Sequence, residues 1–142
     1  MYRIFLSIFF LLVNVVAVGQ NTNVPDLISY QAVVRNSSNS LVINQLVGVR
    51  VSILQGSISG SGVYVETQSP TSNSNGLISL QIGAGNTVAG SMSSIDWSGG
   101  PYFIKTEIDP TGGVNYTITG TSQLLSVPYA LYAKTSGSSI PG

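Results

Sequence analysis

The chain has 142 residues, of which 43% are apolar and only 7% are charged, so its length supports one domain with a core of ordinary size. Five basic and five acidic residues cancel, which excludes the electrostatic footprint of a protein that binds nucleic acid or anionic lipid. The absence of Cys and His excludes disulfides, thiol nucleophiles, thiolate metal sites and a histidine general base.

The N-terminus has the pattern of a secretory signal peptide over residues 1–19. Arg3 precedes an apolar run over residues 4–18, and this run is shorter than the roughly 20 residues that a transmembrane helix needs. Small residues close the run, which predicts cleavage between Gly19 and Gln20. The alternative is an uncleaved membrane anchor. We expect removal of the leader, secretion, and no transmembrane anchor in the mature protein.

Alternating segments after a polar lead-in predict the first strands. Residues 28–34 alternate between apolar and polar positions, and a turn rich in Asn and Ser then leads to a short return strand over residues 41–44. Residues 47–54 show the clearest alternation, because Val or Ile stands at every second position.

The middle of the chain predicts a hairpin. The glycine-rich run over residues 56–62 is not a phosphate loop, because a strand follows it and no Lys-Ser or Lys-Thr pair is present. Residues 63–68 and 77–82 alternate as strands, and Asn75-Gly76 between them is the dipeptide that a type I′ hairpin turn favours. We therefore expect these two strands to pair as neighbours.

A less regular region follows the predicted hairpin. Residues 83–90 are predicted as a long connection, and residues 92–97 as a single helical turn. Residues 102–108 alternate as a strand whose polar face carries one aromatic exception, Phe103. A turn containing Pro and Gly comes next, and a return strand is expected over residues 116–119.

The closing segment, residues 123–134, is predicted to change from strand to helix. Its strand offers apolar residues on both faces, and we expect Leu124, Leu125 and Val127 to complete the core. Pro128 tolerates the first turn of a helix and marks the change. The helical turn carries more apolar surface than it can bury against a small domain, which predicts a contact with another copy or a downstream stalk. The residues of this apolar surface are Tyr129, Leu131 and Tyr132.

These elements amount to seven or eight short strands separated by Gly, Asn and Pro turns. Such a pattern is typical of an all-β, antiparallel β-sandwich. The predicted domain runs over residues 20–134 and ends in the short helical turn. Residues 135–142, rich in Gly and Ser, are predicted to be a flexible tether or the start of a stalk.

Four sequence blocks resemble one known family. They are ISYQAVVR at residues 28–35, NGLISLQIG at 75–83, IDW at 95–97 with FIKTEID at 103–109, and QLLSVPYALYAK at 123–134. Together they resemble the N-terminal head domain of secreted bacterial surface-fibre proteins, in which tail-fibre-like, collagen-like or intramolecular-chaperone stalk regions usually follow the head. The resemblance implies an extracellular or outer-membrane-associated structural or adhesion module that self-associates or joins a stalk, with no catalytic residue, metal or cofactor.

Two candidate sites point to other functions. Trp97, Tyr102 and Tyr116 could form the aromatic platform of an extracellular carbohydrate-binding module, although aromatic residues in a small sandwich more often belong to the core. Glu107 and Asp109 share a strand face, as a glycosidase pair or a calcium site requires, but two acids without a third make a poor metal site. We expect a non-enzymatic protein. The predicted partner interface consists of Phe103, Tyr129, Leu131 and Tyr132.

Overall fold

The structure, a computed structural model, describes residues 26–125, which contain seven strands and two short 3-10 turns. The predicted signal peptide with Gly19 and Gln20, the helical turn after Pro128 and the tether lie outside the described residues. The strands are β1 (Ile28–Val33), β2 (Gly48–Gln55), β3 (Ser61–Gln68), β4 (Leu77–Ile82), β5 (Asn86–Gly90), β6 (Tyr102–Asp109) and β7 (Ile118–Gln123). The prediction of an all-β fold with about seven short strands is confirmed.

All paired strands run antiparallel, and they form two sheets. β1 and β4 make the small sheet, whereas the large sheet has the strand order β5-β3-β2-β6-β7. β2 is therefore the central strand of the large sheet, and β5 and β7 are its edges. Residues 26–125 contain no helix with the length and apolar character needed to cross a membrane.

The core lies between the facing sides of the two sheets. Val49, Val51 and Ile53 of β2 have no exposed surface, as the alternation of that strand predicts. Ile78 and Ile82 of β4 are likewise completely buried. Each such side chain stabilises the fold by about 1.5–3 kcal/mol when it leaves water. These five residues therefore contribute strongly to the packing of the two sheets.

The hairpin predicted between β3 and β4 is wrong, because the two strands belong to different sheets. The Asn73 side chain accepts hydrogen bonds from the backbone N–H groups of Asn75 and Leu77, and the Gly76 N–H donates to the Asn73 carbonyl oxygen. Gly76 has a positive φ of 71°, but Asn75 does not share it, and a type I′ turn needs positive φ at both central residues. The Asn-Gly dipeptide thus marks a turn before β4 without determining which strand β4 pairs with.

The predicted connection over residues 83–90 contains a strand, β5, that no sequence pattern reveals. All of its residues are exposed, so apolar alternation is missing. The helical turn predicted over residues 92–97 is replaced by two 3-10 turns, Met92–Ser94 and Trp97–Gly99.

Two other strand predictions differ in extent. The return strand predicted over residues 41–44 is reduced to a single bridge at Leu41. The return strand predicted over residues 116–119 is β7, which begins and ends later. Leu124 is partly buried and packs against the core, whereas Leu125 is 77% exposed, so the expectation that these residues complete the core is wrong for Leu125. Val127 lies outside the described residues.

Candidate functional site

Several loops meet at one end of the large sheet, where the described chain also ends; we call this the exit end. The Gly56 N–H, just after β2, donates to the Pro101 carbonyl oxygen at 2.8 Å. The Gln55 side chain donates to a carbonyl oxygen of the second 3-10 turn at 2.8 Å. The Leu124 N–H donates to the Tyr102 carbonyl oxygen at 2.8 Å, so the chain leaves β7 at the same place.

Three apolar side chains lie in or next to the loops of the exit end, and we refer to them together as the exit surface: Ile58, Trp97 and Phe103. Ile58 is 66% exposed and Trp97 is 46% exposed. The Trp97 ring meets the ring of Tyr102 edge-on, with centroids 5.1 Å apart, and nearly half of its surface remains accessible. Since tryptophan gains much from covering its large apolar area, the exit surface is suited to a further contact.

Asp96 fixes the 3-10 turn that carries Trp97. Its carboxylate accepts hydrogen bonds from the Ser98 hydroxyl at 2.6 Å and from the Ser98 N–H at 3.0 Å. These two bonds, the hydroxyl bond foremost, hold the pKa of Asp96 below its ordinary value of 3.8. The Tyr102 hydroxyl donates to the Asp96 carbonyl oxygen, which anchors the turn to β6. Trp97 is thus positioned by groups that leave its ring accessible.

Phe103 lies on the outer face of the large sheet, close to the exit end. In the strand register it stands between Leu54 of β2 and Gln123 of β7, and it is partly buried. Its place on the polar side of β6 agrees with the sequence pattern. The other residues of the predicted partner interface lie outside the described residues: Tyr129, Leu131 and Tyr132.

The three rings of the predicted sugar platform are separated in the structure. Tyr102 is 6% exposed and belongs to the core, whereas Trp97 lies at the surface. Tyr116 lies beside the far end of β6, where its neighbouring residue bonds the Ile108 carbonyl oxygen, about 20 Å along the strand from Tyr102. Its ring lies 4.8 Å from the Arg50 guanidinium carbon, a cation–π contact. Of the three rings, that of Trp97 is therefore the one that is both at the exit end and accessible.

Glu107, the first of the two acids in the predicted pair, is held by cations. It accepts hydrogen bonds from Arg50 at 2.7 and 2.8 Å, and a carboxylate oxygen lies 3.2 Å from the Lys105 ammonium. The bonds from Arg50, ahead of the contact with Lys105, lower the pKa of Glu107, and the bond to Glu107 raises the pKa of Arg50. A two-bond pair of this geometry joins β2 to β6 and keeps the carboxylate ionised.

Asp109, the second acid, is a residue with 2% exposure, and its carboxylate organises the turn after β6. It accepts hydrogen bonds from the Thr111 hydroxyl at 2.6 Å and from the N–H groups of Thr111 and Asn115, both at 2.9 Å. These bonds, the hydroxyl bond foremost, hold the pKa of Asp109 below 3.8. Across residues 26–125, no group of three or more acidic side chains is placed to hold a metal ion.

Glu66 is a completely buried carboxylate that no sequence motif identifies. It accepts hydrogen bonds from the Tyr64 hydroxyl at 2.7 Å and the Gln68 amide at 2.6 Å. The N–H groups of Gly83 and Gly85 donate to it at 2.9 and 3.1 Å. Glu66 thereby ties β3 to the turn between β4 and β5, which connects the two sheets. The sequence signal that points to Glu66 is its position on the same face of the alternating strand as Tyr64.

An open cavity of about 350 Å³ lies beside the Glu66 cluster. Its lining includes Asp26, Tyr64, Thr87 and Met92. Burial, and after it the hydrogen bond to Glu66, raises the pKa of Tyr64 above its ordinary value of 10.0. The phenol therefore stays protonated and continues to donate to Glu66, which favours a structural role for this cluster.

The fold and these sites define an all-β, two-sheet antiparallel domain in which four carboxylates stabilise structure and the exit end presents the accessible ring of Trp97. Residues 29–122 match the family described as Domain of unknown function (DUF8740). The match extends from β1 to β7 and covers more than half of the chain, so the protein belongs to this family. Comparison with curated proteins gave no match, and neither did comparison with solved structures.

Proposed function

We propose that the domain is a non-enzymatic structural or adhesion module, the head of a secreted cell-surface fibre. The exit surface is the observation that carries this proposal. Ile58 and Trp97 are accessible where the described chain ends at Leu125, and the sequence beyond it is rich in apolar side chains. Accessible apolar surface beside an apolar continuation suits a joint between a head and the adjoining stalk or a second copy.

The acidic residues support a structural role over a catalytic one. Glu66, Glu107 and Asp109 each accept at least two hydrogen bonds from groups of their own chain. A general acid or base must reach the proton that it transfers, and these three carboxylates are occupied by structural donors. The low charge and the abundance of Ser, Thr and Asn also suit a surface for the cell exterior.

Photo-crosslinking tests the proposed joint. A benzophenone amino acid replaces Trp97 in the full-length chain, and a control protein carries it at Ile43, whose exposure of 48% matches the 46% of Trp97. Ile43 lies near the opposite end, two residues before Gln45, whose side chain bonds the Pro110 carbonyl oxygen. We expect the probe at position 97 to capture a peptide containing residues 129–132, and the probe at position 43 to capture none.

The mass of the crosslinked product distinguishes a joint within one chain from a joint between two copies. Either product supports the exit surface as the place where the head meets the C-terminal segment of its own chain or of another copy. Equal capture from positions 97 and 43, or no capture of residues 129–132 from position 97, contradicts the proposal.

A carbohydrate-binding module is the second candidate, and the accessible ring of Trp97 beside the carboxylate of Asp96 favours it. Sugars stack on flat aromatic rings and hydrogen-bond to carboxylates. A glycan array with the wild type, Trp97→Ala and the control Ile43→Ala separates the candidates. Specific binding that Trp97→Ala abolishes and Ile43→Ala retains would favour the carbohydrate-binding module over the fibre head.

A further inference from the structure

We propose that the edge of β7 that no other strand of residues 26–125 covers, called here the free edge, pairs antiparallel with β7 of a second copy of this chain, which joins two five-stranded sheets into one continuous sheet. The proposal rests on the geometry of this strand edge. It does not depend on the exit surface or on the head function.

The ladder between β6 and β7 shows which backbone groups point to the free edge. The Leu124 N–H donates to the Tyr102 carbonyl oxygen at 2.8 Å, so the backbone of Leu124 faces β6. Successive residues of an antiparallel strand alternate between their two sides. The N–H and C=O groups of the residues one, three and five positions before Leu124 therefore point away from β6. These residues are Thr119, Thr121 and Gln123.

β7 lacks the features that usually protect an exposed edge. Residues 118–123 contain no charged side chain and no proline, and their register with β6 runs without a shift. All of them except Ile118 are exposed. An edge with these properties is a template for another strand, since lysine, proline and bulges are the usual means of preventing such pairing.

The opposite edge of the large sheet, β5, is irregular by comparison. Its register with β3 shifts between Val65 and Glu66, and its last residue, Gly90, has a positive φ of 73°. A bulge of this kind bends and twists a strand, which weakens its pairing with a further strand. The two edges therefore differ in their readiness to extend the sheet.

The sequence of β7 fits a second copy of itself. If the two strands pair antiparallel about Gly120 or about Thr121, residues whose backbone groups point to the free edge in one copy lie opposite such residues in the other. The two-fold axis between the copies then repeats every backbone hydrogen bond. Centred on Gly120, Thr119 of each copy meets Thr121 of the other; centred on Thr121, the two Thr121 residues meet. Threonine pairs across strands are favourable, and no like charges meet.

Exposed apolar residues at both ends of β7 support the same arrangement. Val114, before the strand, is 81% exposed, and Leu125, after it, is 77% exposed; these are the two most exposed large apolar side chains within residues 26–125. Antiparallel pairing brings Leu125 of one copy to the end of β7 near which Val114 of the other copy lies. The two-fold axis repeats this arrangement, so Leu125 of one copy and Val114 of the other lie near each other at both ends of the proposed pair.

Sedimentation velocity of the full-length chain tests the pairing. We expect the wild type to form a dimer that dissociates on dilution. Thr121→Lys and Thr121→Glu should each shift the protein to monomer, because like charges then meet beside the two-fold axis. An equimolar mixture of the two variants should restore the dimer, since opposite charges then meet. The control Val88→Lys places the same charge on β5, where Val88 is 63% exposed, and should leave the dimer intact.

Thermal unfolding of each variant verifies that the monomers are folded. A wild type that stays monomeric at the highest concentration overturns the proposal, as does a trimer, which a two-fold pair cannot produce. A dimer that survives Thr121→Lys, a dimer that Val88→Lys disrupts, or a mixture of variants that stays monomeric also overturns it. Failure here leaves the crosslink from position 97 unaffected, so the β7 pairing and the proposed joint are tested separately.

Discussion

The two ends of the large sheet differ in the side chains that their loop contacts hold in place. At the end where β6 finishes, which we call the aspartate end, the buried carboxylate of Asp109 holds the following turn through Thr111 and Asn115. At the exit end, the side chain that the loops hold in place is Trp97, and it is 46% exposed. At the aspartate end the loop contacts thus hold a buried carboxylate, whereas at the exit end they hold an accessible tryptophan ring.

Adding a side-chain carbon at the aspartate end should have the largest effect on the stability of the fold. A Cβ at Gly48 would overlap the backbone carbonyl of Gly113, so we expect Gly48→Ala to lower the free energy of unfolding by about 3 kcal/mol, as overpacking does. The control Gly62→Ala lies toward the exit end, where its Cβ would approach side chains of Val65 at 3.6 Å and Leu54 at 4.0 Å. Its effect should stay within about 0.5 kcal/mol. Equal losses in urea unfolding would contradict the contrast between the ends.

A smaller loss that depends on pH is expected for Asp109→Asn. The pKa of Asp109 is lowered in the folded chain, so its carboxylate contributes stability that is fully present above the ordinary value of 3.8 and is lost as pH falls through the lowered value. The variant should therefore be less stable than the wild type near neutral pH, and the difference should shrink in acid below that pKa. Thermal unfolding across this pH range measures it.

The matched control for that variant is Asp96→Asn at the exit end. The pKa of Asp96 is also lowered, so any pH dependence should have the same sign. Asp96 is exposed to solvent, and Asn caps a helical turn about as well as Asp, so the loss should be smaller than for Asp109→Asn. If Asp109→Asn lowered stability by the same amount at every pH, the stability of the aspartate end would not depend on the carboxylate charge.

The smallest effect on stability is expected for Ile58→Ser in the exit surface. Ile58 is 66% exposed, so the change should alter the free energy of unfolding by less than about 0.5 kcal/mol. The same substitution at Ile53, which has no exposed surface, should cost at least about 2 kcal/mol. Urea unfolding compares the two variants. A large loss for Ile58→Ser would assign this residue to the fold of the single chain instead of to a contact surface.

The strands were predictable where one of their faces meets the core. In β1, β4 and β6, burial of one face places apolar residues at every second position, and this period is visible in the sequence. β5 lacks the signal because it is exposed throughout. The dipeptide Asn75-Gly76 specifies local backbone angles, and these angles do not determine which sheet the next strand joins.

The sites were less predictable, because residues distant in sequence create them. Glu66 becomes a structural carboxylate only when the backbone of Gly83 and Gly85 is brought to it. The accessible position of Trp97 likewise depends on a bond between Gln55 and the second 3-10 turn. Composition identified Trp97 as a candidate and did not identify Glu66, because the donors that surround a side chain are determined by the tertiary fold.

The central claim is that residues after 125 or a second copy cover the exit surface. Acrylamide quenching of tryptophan fluorescence tests this claim most directly, because Trp97 is the single tryptophan of the chain. The full-length protein is compared with a variant in which Tyr129, Leu131 and Tyr132 are all replaced by Ser. We expect inefficient quenching in the wild type, and efficient quenching with red-shifted emission in the variant. Equally efficient quenching in both proteins would contradict the claim.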